Sequence, residues 1–339
     1  MSITQRKSRE DHGSTENGFV FRPLGTRPTW RQTSIFVGKL AISGGLVYFL
    51  SRKIDLDQFG SVLSSVDQPL ILTAMAVLGL QMAIHAGIWP LILRAAGVQL
   101  ATAKAVGILL FSLFLNQGLP AALGGIGGRV YYTRLASAPL QNTVTAVIAE
   151  RVLFLIVLIL VSAATLLPFH GIVSGPEITL YTYIVVGLIL GLGLSMALAH
   201  HIDRMWNGVP ILRKVLAALS NVWKVFWDPK RMAHGVLLML IYHMLSLVAL
   251  ATIAKATGVT TPWTTLVIVF PHVLLIAALP ISINGWGVRE LTMVTLLGFV
   301  DVSPEEALVV SLAFGIAILV TRLPMAVFWF AARPDPKRA

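Results

Sequence analysis

The sequence predicts an all-α polytopic integral membrane protein: about six full transmembrane helices and two re-entrant broken-helix hairpins, in two inverted repeats. Three observations predict it. Of 339 residues, 56% are hydrophobic and only 12% are charged, and mean hydropathy is +0.81; a soluble domain carries about 25% charged residues. The 26 Lys and Arg residues sit in the gaps between apolar runs. That placement orients a membrane protein, so the net charge of +11 does not imply a nucleic-acid partner. Finally, one Pro/Gly/Arg motif occurs twice inside apolar sequence. There is no cysteine, which excludes disulfides and thiolate metal sites.

Residues 1–33 are polar and basic (Arg6, Lys7, Arg9, Arg22, Arg27 and Arg31) and read as a disordered cytoplasmic tail. They hold no apolar core of a cleaved signal peptide. A single membrane domain is expected over 34–330, followed by a cytoplasmic tail at 331–339. Apolar runs at 34–50, 70–93, 142–167, 178–199, 233–254 and 306–330 have the roughly 17–25 residues a crossing needs. The regions 105–135 and 264–300 are equally apolar but are broken by Pro and Gly. Basic residues place the N-terminal tail, Arg94 to Lys104, the segment 201–231 and the C-terminus on the cytoplasmic side. Asp55, Asp57, Asp67, Glu177, Asp301, Glu305 and Glu306 fall on the other side. This threading, in the inner (cytoplasmic) membrane with both termini cytoplasmic, requires each broken region to leave by the face it entered. Within 201–231, Ile211, Val215, Leu219, Val222 and Phe226 recur at helical steps beside Trp206, Trp223 and Trp227, the pattern of an interfacial amphipathic helix. Residues 54–66 read as a shorter one on the opposite face. There Asp55 and Asp57 imitate a sugar-nucleotide DxD motif, but they read better as the helix's polar edge.

The repeat carries the most information. Leu119-Pro120-Ala-Ala-Leu-Gly-Gly125-Ile-Gly127-Gly-Arg129 recurs as Leu279-Pro280-Ile-Ser-Ile-Asn284-Gly285-Trp-Gly287-Val-Arg289, 160 positions on. Arg94-Ala-Ala-Gly-Val98 recurs as Lys255-Ala-Thr-Gly-Val259, and Pro69 as Pro229. Repeat one covers about 69–167 and repeat two about 229–330, joined by the amphipathic linker. The threading gives the two opposite orientations, and paired interrupted segments in inverted halves point to a transporter's central site. Proline ends the entering helix and glycine allows the reversal. The exiting half-helix then presents unpaired N–H groups, with Arg129 or Arg289 in its first turn. Such a set suits an anionic head group, above all a phosphate. The alternative is that the glycines serve close packing and the arginines snorkel to water.

Glu150 and Arg151 lie about 12 Å into their span at 1.5 Å per residue, where a charge costs about 2.5–3.5 kcal/mol. Neighbours in a helix do not face each other, so Glu150 is expected to pair with Arg129 or Arg322. The alternative role is an ion pair that only fixes helix register. Lys39 is expected to snorkel. His85, His243 and His272 read as hydrogen-bonded helix contacts, with no metal-ligand spacing and no cofactor expected. The candidate translocation residues are Asn116, Pro120, Gly125, Gly127, Arg129, Glu150, Arg151, Pro280, Asn284, Gly285, Gly287, Arg289, Glu290 and Arg322.

At Asn116-Gln-Gly-Leu-Pro120, Gly124-Gly125, Arg129, Glu150-Arg151 and Leu279 to Glu290, the chain resembles the lysylphosphatidylglycerol synthase transmembrane-region family of flippase-like membrane proteins. The resemblance runs from about 34 to 330. It implies moving a lipid or lipid-linked anionic head group between leaflets, beside a lipid-modifying or glycosyl-transferring partner enzyme. Two positions depart from the family pattern: Ile126 and Phe154 stand where acidic residues are usual. The chain ends at Ala339, so the soluble aminoacyl-transferring domain and its catalytic activity are not expected. With no Walker motif, transport would be downhill or ion-coupled. The alternatives are a membrane-embedded lipid glycosyltransferase using Asp55 and Asp57, or a non-transporting partner of a lipid-modifying enzyme.

Overall fold

In hydrocarbon each backbone N–H and C=O needs a partner within the protein, so an apolar run becomes a helix. The computed structural model describes residues 56–118, 122–173, 175–205, 210–279 and 285–332, with Ser34, Gly45 and Tyr48, and all its regular structure there is helical. The helices are α1 (Leu56–Ser64), α2 (Gln68–Ala95), α3 (Thr102–Gly118), α4 (Gly128–Leu135), α5 (Leu140–His170), α6 (Pro176–Met205), α7 (Pro210–Lys224), α8 (Pro229–Ala256), α9 (Trp263–Ala277), α10 (Val288–Gly298), α11 (Pro304–Arg322) and α12 (Trp329–Ala332). A π-helical turn, Ala122–Gly127, leads into α4, and a 3₁₀ segment, Leu323–Phe328, joins α11 to α12.

Among the described residues, five helices are long and apolar enough to cross a membrane: α2, α5, most of α6, α8, and α11 with its 3₁₀ extension. The chain is a multi-pass membrane protein. The expected first span at 34–50, with Lys39, lies outside the described residues apart from Ser34, Gly45 and Tyr48. Helices α3 and α9 are the entering arms of the two broken regions. With 17 and 15 residues they reach only about 25 Å and 23 Å, short of the roughly 30 Å hydrocarbon core.

Equivalent elements of the two repeats begin and end alike. Asp67 and Asp228 cap α2 and α8 by accepting from the Leu70 N–H (3.0 Å) and the Arg231 N–H (3.1 Å), and a proline occupies the first turn of each helix. Each helix ends on a left-handed glycine, Gly97 (φ 79°) or Gly258 (φ 85°). Behind it the Val98 N–H reaches the Leu93 carbonyl (2.9 Å) and the Val259 N–H the Ala254 carbonyl (3.0 Å). Ser137 and Asp301, both at positive φ, turn the exiting arms α4 and α10 into the long helices α5 and α11.

Helices α2 and α8 form the centre and run antiparallel. The Asp67 N–H at the start of α2 donates to the Ala256 carbonyl at the end of α8 (2.8 Å). Midway, the Gln81 amide donates to the Tyr242 carbonyl (3.2 Å) and to the Ser246 hydroxyl. Further on, Gly87 faces Leu238. Gln81 and Tyr242 are 161 positions apart, hence equivalent in the repeat. Equivalent residues touching at the middle of an antiparallel pair place a pseudo-twofold axis there, so the repeats are inverted. The remaining packing obeys the same exchange. The entering arm α9 lies on α5, while α3 lies on the 3₁₀ segment and α12 that follow α11. Each hairpin therefore leans on the closing helix of the other repeat. The 3₁₀ segment forms because Pro324 lacks the N–H that would bond the Val320 carbonyl.

One apolar core surrounds the first hairpin, with Trp89, Leu109, Val130 and Leu153. The other surrounds the second, with Leu250, Phe270, Met293 and Phe314. Helix α6 is the most lipid-exposed span, with Leu180, Tyr183, Leu190 and Leu194 outward. The linker helix differs from the expected interfacial one in what its apolar face meets. Val222 and Val225 of the linker join the first core and Trp223 is buried, whereas Trp227 is exposed. Trp206 lies outside the described residues. The described part of that face, with Phe226, therefore meets protein, while Ile211 and Val215 lie outside the described side chains.

Candidate functional site

Among the described residues, the first hairpin turns by close approach, with no left-handed residue between Ala122 and Leu135. A Cβ on Gly124 would stand 2.7 Å from the Leu115 carbonyl carbon, and one on Gly125 would stand 2.9 Å from the Asn116 Oδ1. The two glycines thus let the π-helical turn lie flat on the end of α3. Gly127 keeps helical dihedrals (φ −61°, ψ −42°), so the turn runs straight into α4. Pro120 lies outside the described residues. Arg129, on the first turn of α4, is buried. Its Nε donates to the Gly125 carbonyl (3.2 Å), and its guanidinium covers the Trp89 ring at 5.0 Å. Its Nη1 pairs with Glu150 Oε2, and the other oxygen of Glu150 hydrogen-bonds His85 Nε2.

Of the two cations considered for Glu150, Arg129 makes the contact. Arg322 stands nearby at the end of α11. Its buried Nε has no acceptor among the described residues. Arg151, the next residue of α5, is exposed and stands over the Phe154 ring at 5.9 Å. The region thus sets three guanidiniums against one carboxylate. Phe154, where the resemblance leads one to expect an acid, packs on His243 at 4.7 Å, and its carbonyl accepts from His243 Nε2 at 3.1 Å. Ile126 packs into the first core.

The second hairpin is built differently. Gly285 (φ 81°) and Gly287 (φ 84°) make a left-handed turn, and Gly285 accepts from the Arg289 N–H at 2.8 Å. Pro280 and Asn284 lie outside the described residues. The half-helix that follows was expected to offer free N–H groups to a ligand. Instead Glu290 folds back, and its Oε2 accepts from the Gly287 N–H at 2.5 Å. Its Oε1 takes Arg289 Nη2 (2.6 Å) and Nε (3.1 Å) and the Ser311 hydroxyl (3.1 Å). Adjacent residues pair here because the carboxylate caps the helix start. In mid-helix Glu150 and Arg151 diverge, as expected. Arg289 also covers Trp286 at 4.9 Å. A Cβ on Gly315 would lie 2.5 Å from Arg289 Nη2, so α11 must present a glycine there.

Among the described residues, Arg129 and Arg289 therefore sit in separate hydrogen-bonded clusters. The first cluster is cation-rich and reaches partly exposed arginines, whereas the second is internally neutralised. Sequence reasoning underrated His85 and did not single out Trp89, Tyr242 or Ser311. The signal for the first two was their spacing: His85 and Trp89 are four apart on α2 and share a face. His272 is a satisfied contact, with Tyr181 at 2.8 Å, Thr165 at 3.2 Å and Phe169 stacked at 3.8 Å. Among the described residues no group of acids and histidines could hold a metal ion. Asp57 is exposed on α1, and Asp55 lies outside the described residues.

An inverted pair of helical repeats with buried ion pairs between apolar helices defines a multi-pass membrane protein. The model of the lysylphosphatidylglycerol synthase TM region matches residues 36–325, nearly the whole chain, and the protein belongs to that family. Membership points to a membrane protein of the lipid-modification or flippase type. Comparison with curated proteins gives no match.

Proposed function

We propose that the protein translocates a phospholipid or lipid-linked anionic head group across the cytoplasmic membrane, with both termini on the cytoplasmic side. The observation that carries this reading is the cation excess around Glu150. Arg129 is buried and paired, while Arg322, at the end of α11, has an Nε without an acceptor among the described residues. Intramembrane charge is costly and marks a substrate path by default. A guanidinium binds phosphate through parallel donors. A head group entering beside Arg322 would meet cations first and the Arg129 pair deeper in. A lipid-modifying or glycosyl-transferring enzyme would supply or consume the lipid.

The test is reconstitution of the full chain in liposomes carrying fluorescent phosphatidylglycerol or phosphatidylcholine, with a membrane-impermeant quencher reporting leaflet exchange. Exchange of the anionic lipid above protein-free liposomes, reduced at least tenfold in Arg129→Gln, is the expected result. No exchange over a broad panel of anionic lipids would overturn the proposal.

A further inference from the structure

We propose that Glu150, bridging His85 and Arg129, is a proton-coupling site: an anionic lipid phosphate displaces it from Arg129, and it takes up one proton as the lipid binds. This inference rests on the translocator reading and adds to it the ion that travels with the lipid.

Glu150 has one oxygen on Arg129 and one on His85, and all three side chains are largely buried. The charged and titratable groups facing it come from every surrounding element. They are His85 from α2, Arg129 from α4, Tyr242 from α8, Arg322 from the end of α11, and Arg151 from its own helix. His243 of α8 is turned onto the Phe154 carbonyl. Arg129 is thus the cation that holds the Glu150 carboxylate. A phosphate monoanion that claims Arg129 takes away the guanidinium that contacts Glu150 and sets a second anion beside a buried carboxylate left without that pairing, which favours the protonated carboxyl. Protonating Glu150 keeps the charge of the buried region unchanged, which avoids placing a new net charge in the membrane.

His85 supplies a route for that proton. In the resting pair its Nε2–H donates to the carboxylate. A proton from water adds to Nδ1, the Nε2 proton passes to Glu150 Oε1, and the new carboxyl O–H then donates to Nε2. One N–H bond and one O–H bond form, one N–H bond and one O–H bond of the hydronium that delivers the proton break, and His85 ends as the other neutral tautomer. The second repeat offers no such exchange. Glu290 is held by the Gly287 N–H, by Arg289 and by the Ser311 hydroxyl, so no single displacement frees it. Coupling therefore belongs to the first hairpin alone.

The experiment titrates the full chain, in nanodiscs of phosphatidylcholine, with dihexanoyl phosphatidylglycerol in weak buffer containing a pH indicator. Binding is measured in parallel by calorimetry. The wild type is expected to take up about one proton per lipid bound, and its affinity is expected to fall about tenfold per pH unit on the alkaline side, as linkage to one proton requires. E150Q is expected to show neither proton uptake nor pH dependence, and H85Q to keep the stoichiometry but take up the proton more slowly. Wild-type binding without proton uptake, or uptake that persists in E150Q, overturns the coupling while leaving the translocator reading intact. Absence of lipid binding by the wild type overturns the translocator reading, and the coupling with it.

Discussion

Removing Arg129 or Glu150 alone is expected to destabilise the protein far more than removing both. The two side chains are only 6% and 5% exposed. Breaking such a pair from one side costs about 3–5 kcal/mol, because a buried charge is left uncompensated. Arg129→Met and Glu150→Met should each show that loss, and additivity would make the double variant about 6–10 kcal/mol less stable. The double variant instead removes both charges and fills similar volume, a change that is often neutral. Its remaining cost is the polar partner taken from His85, about 1–3 kcal/mol, and the loss of the cation over Trp89, about 0.5–2 kcal/mol. A coupling energy of at least about 1 kcal/mol, and about 5 kcal/mol at the middle of these ranges, follows. Reversible denaturant unfolding in mixed micelles, followed by circular dichroism, measures it. Single losses that add within about 0.5 kcal/mol would refute the pairing. The same double variant separates structure from function: it should fold yet lose leaflet exchange of the anionic lipid.

Gly315→Ala should lower stability by about 1–3 kcal/mol, since its Cβ would stand 2.5 Å from Arg289 Nη2 and 3.1 Å from Trp286; thermal melts of the purified protein read this directly. Gly124→Ala should be worse tolerated than Gly125→Ala. The first would meet the Leu115 backbone, whereas the second meets the Asn116 side chain, which can rotate; folded yield after detergent extraction ranks them. Asp67→Ala and Asp228→Ala should each cost about 0.5–2 kcal/mol, and by similar amounts, because they cap equivalent helices. Unequal losses in unfolding measurements would speak against that equivalence. Arg322→Gln should weaken lipid binding several-fold with little change in unfolding free energy, since the buried Nε of the side chain has no acceptor among the described residues.

Much of the fold is legible in the chain because the membrane makes local rules sufficient. Apolar length predicts α2, α5, α6, α8 and α11 within a few residues, since hydrocarbon leaves a long apolar segment little alternative to helix. The repeat, read from Leu-Pro-x4-Gly-x-Gly-x-Arg and from Pro69 and Pro229, anticipates the antiparallel α2–α8 pair. It also anticipates that the two broken arms are too short to cross. The need of Glu150 for a partner followed from depth and helical geometry alone.

Which partner it takes did not follow, because Arg129 and Arg322 were equally reachable on one-dimensional grounds. Only packing α4 against α5 brings Arg129 to the carboxylate, and only the central α2 brings His85 to its other oxygen. The two near-identical motifs likewise hide different chemistry. In the first the glycines stay helical and the counter-charge comes from another helix; in the second they turn left-handed and Glu290 closes the helix end. A repeated motif preserves backbone opportunity, but the charge that answers each arginine is chosen by whichever helix packs beside it. The sequence by itself therefore determined a membrane protein of two inverted halves. The tertiary structure decided that those halves are electrostatically unequal, with the cation-rich cluster on the first.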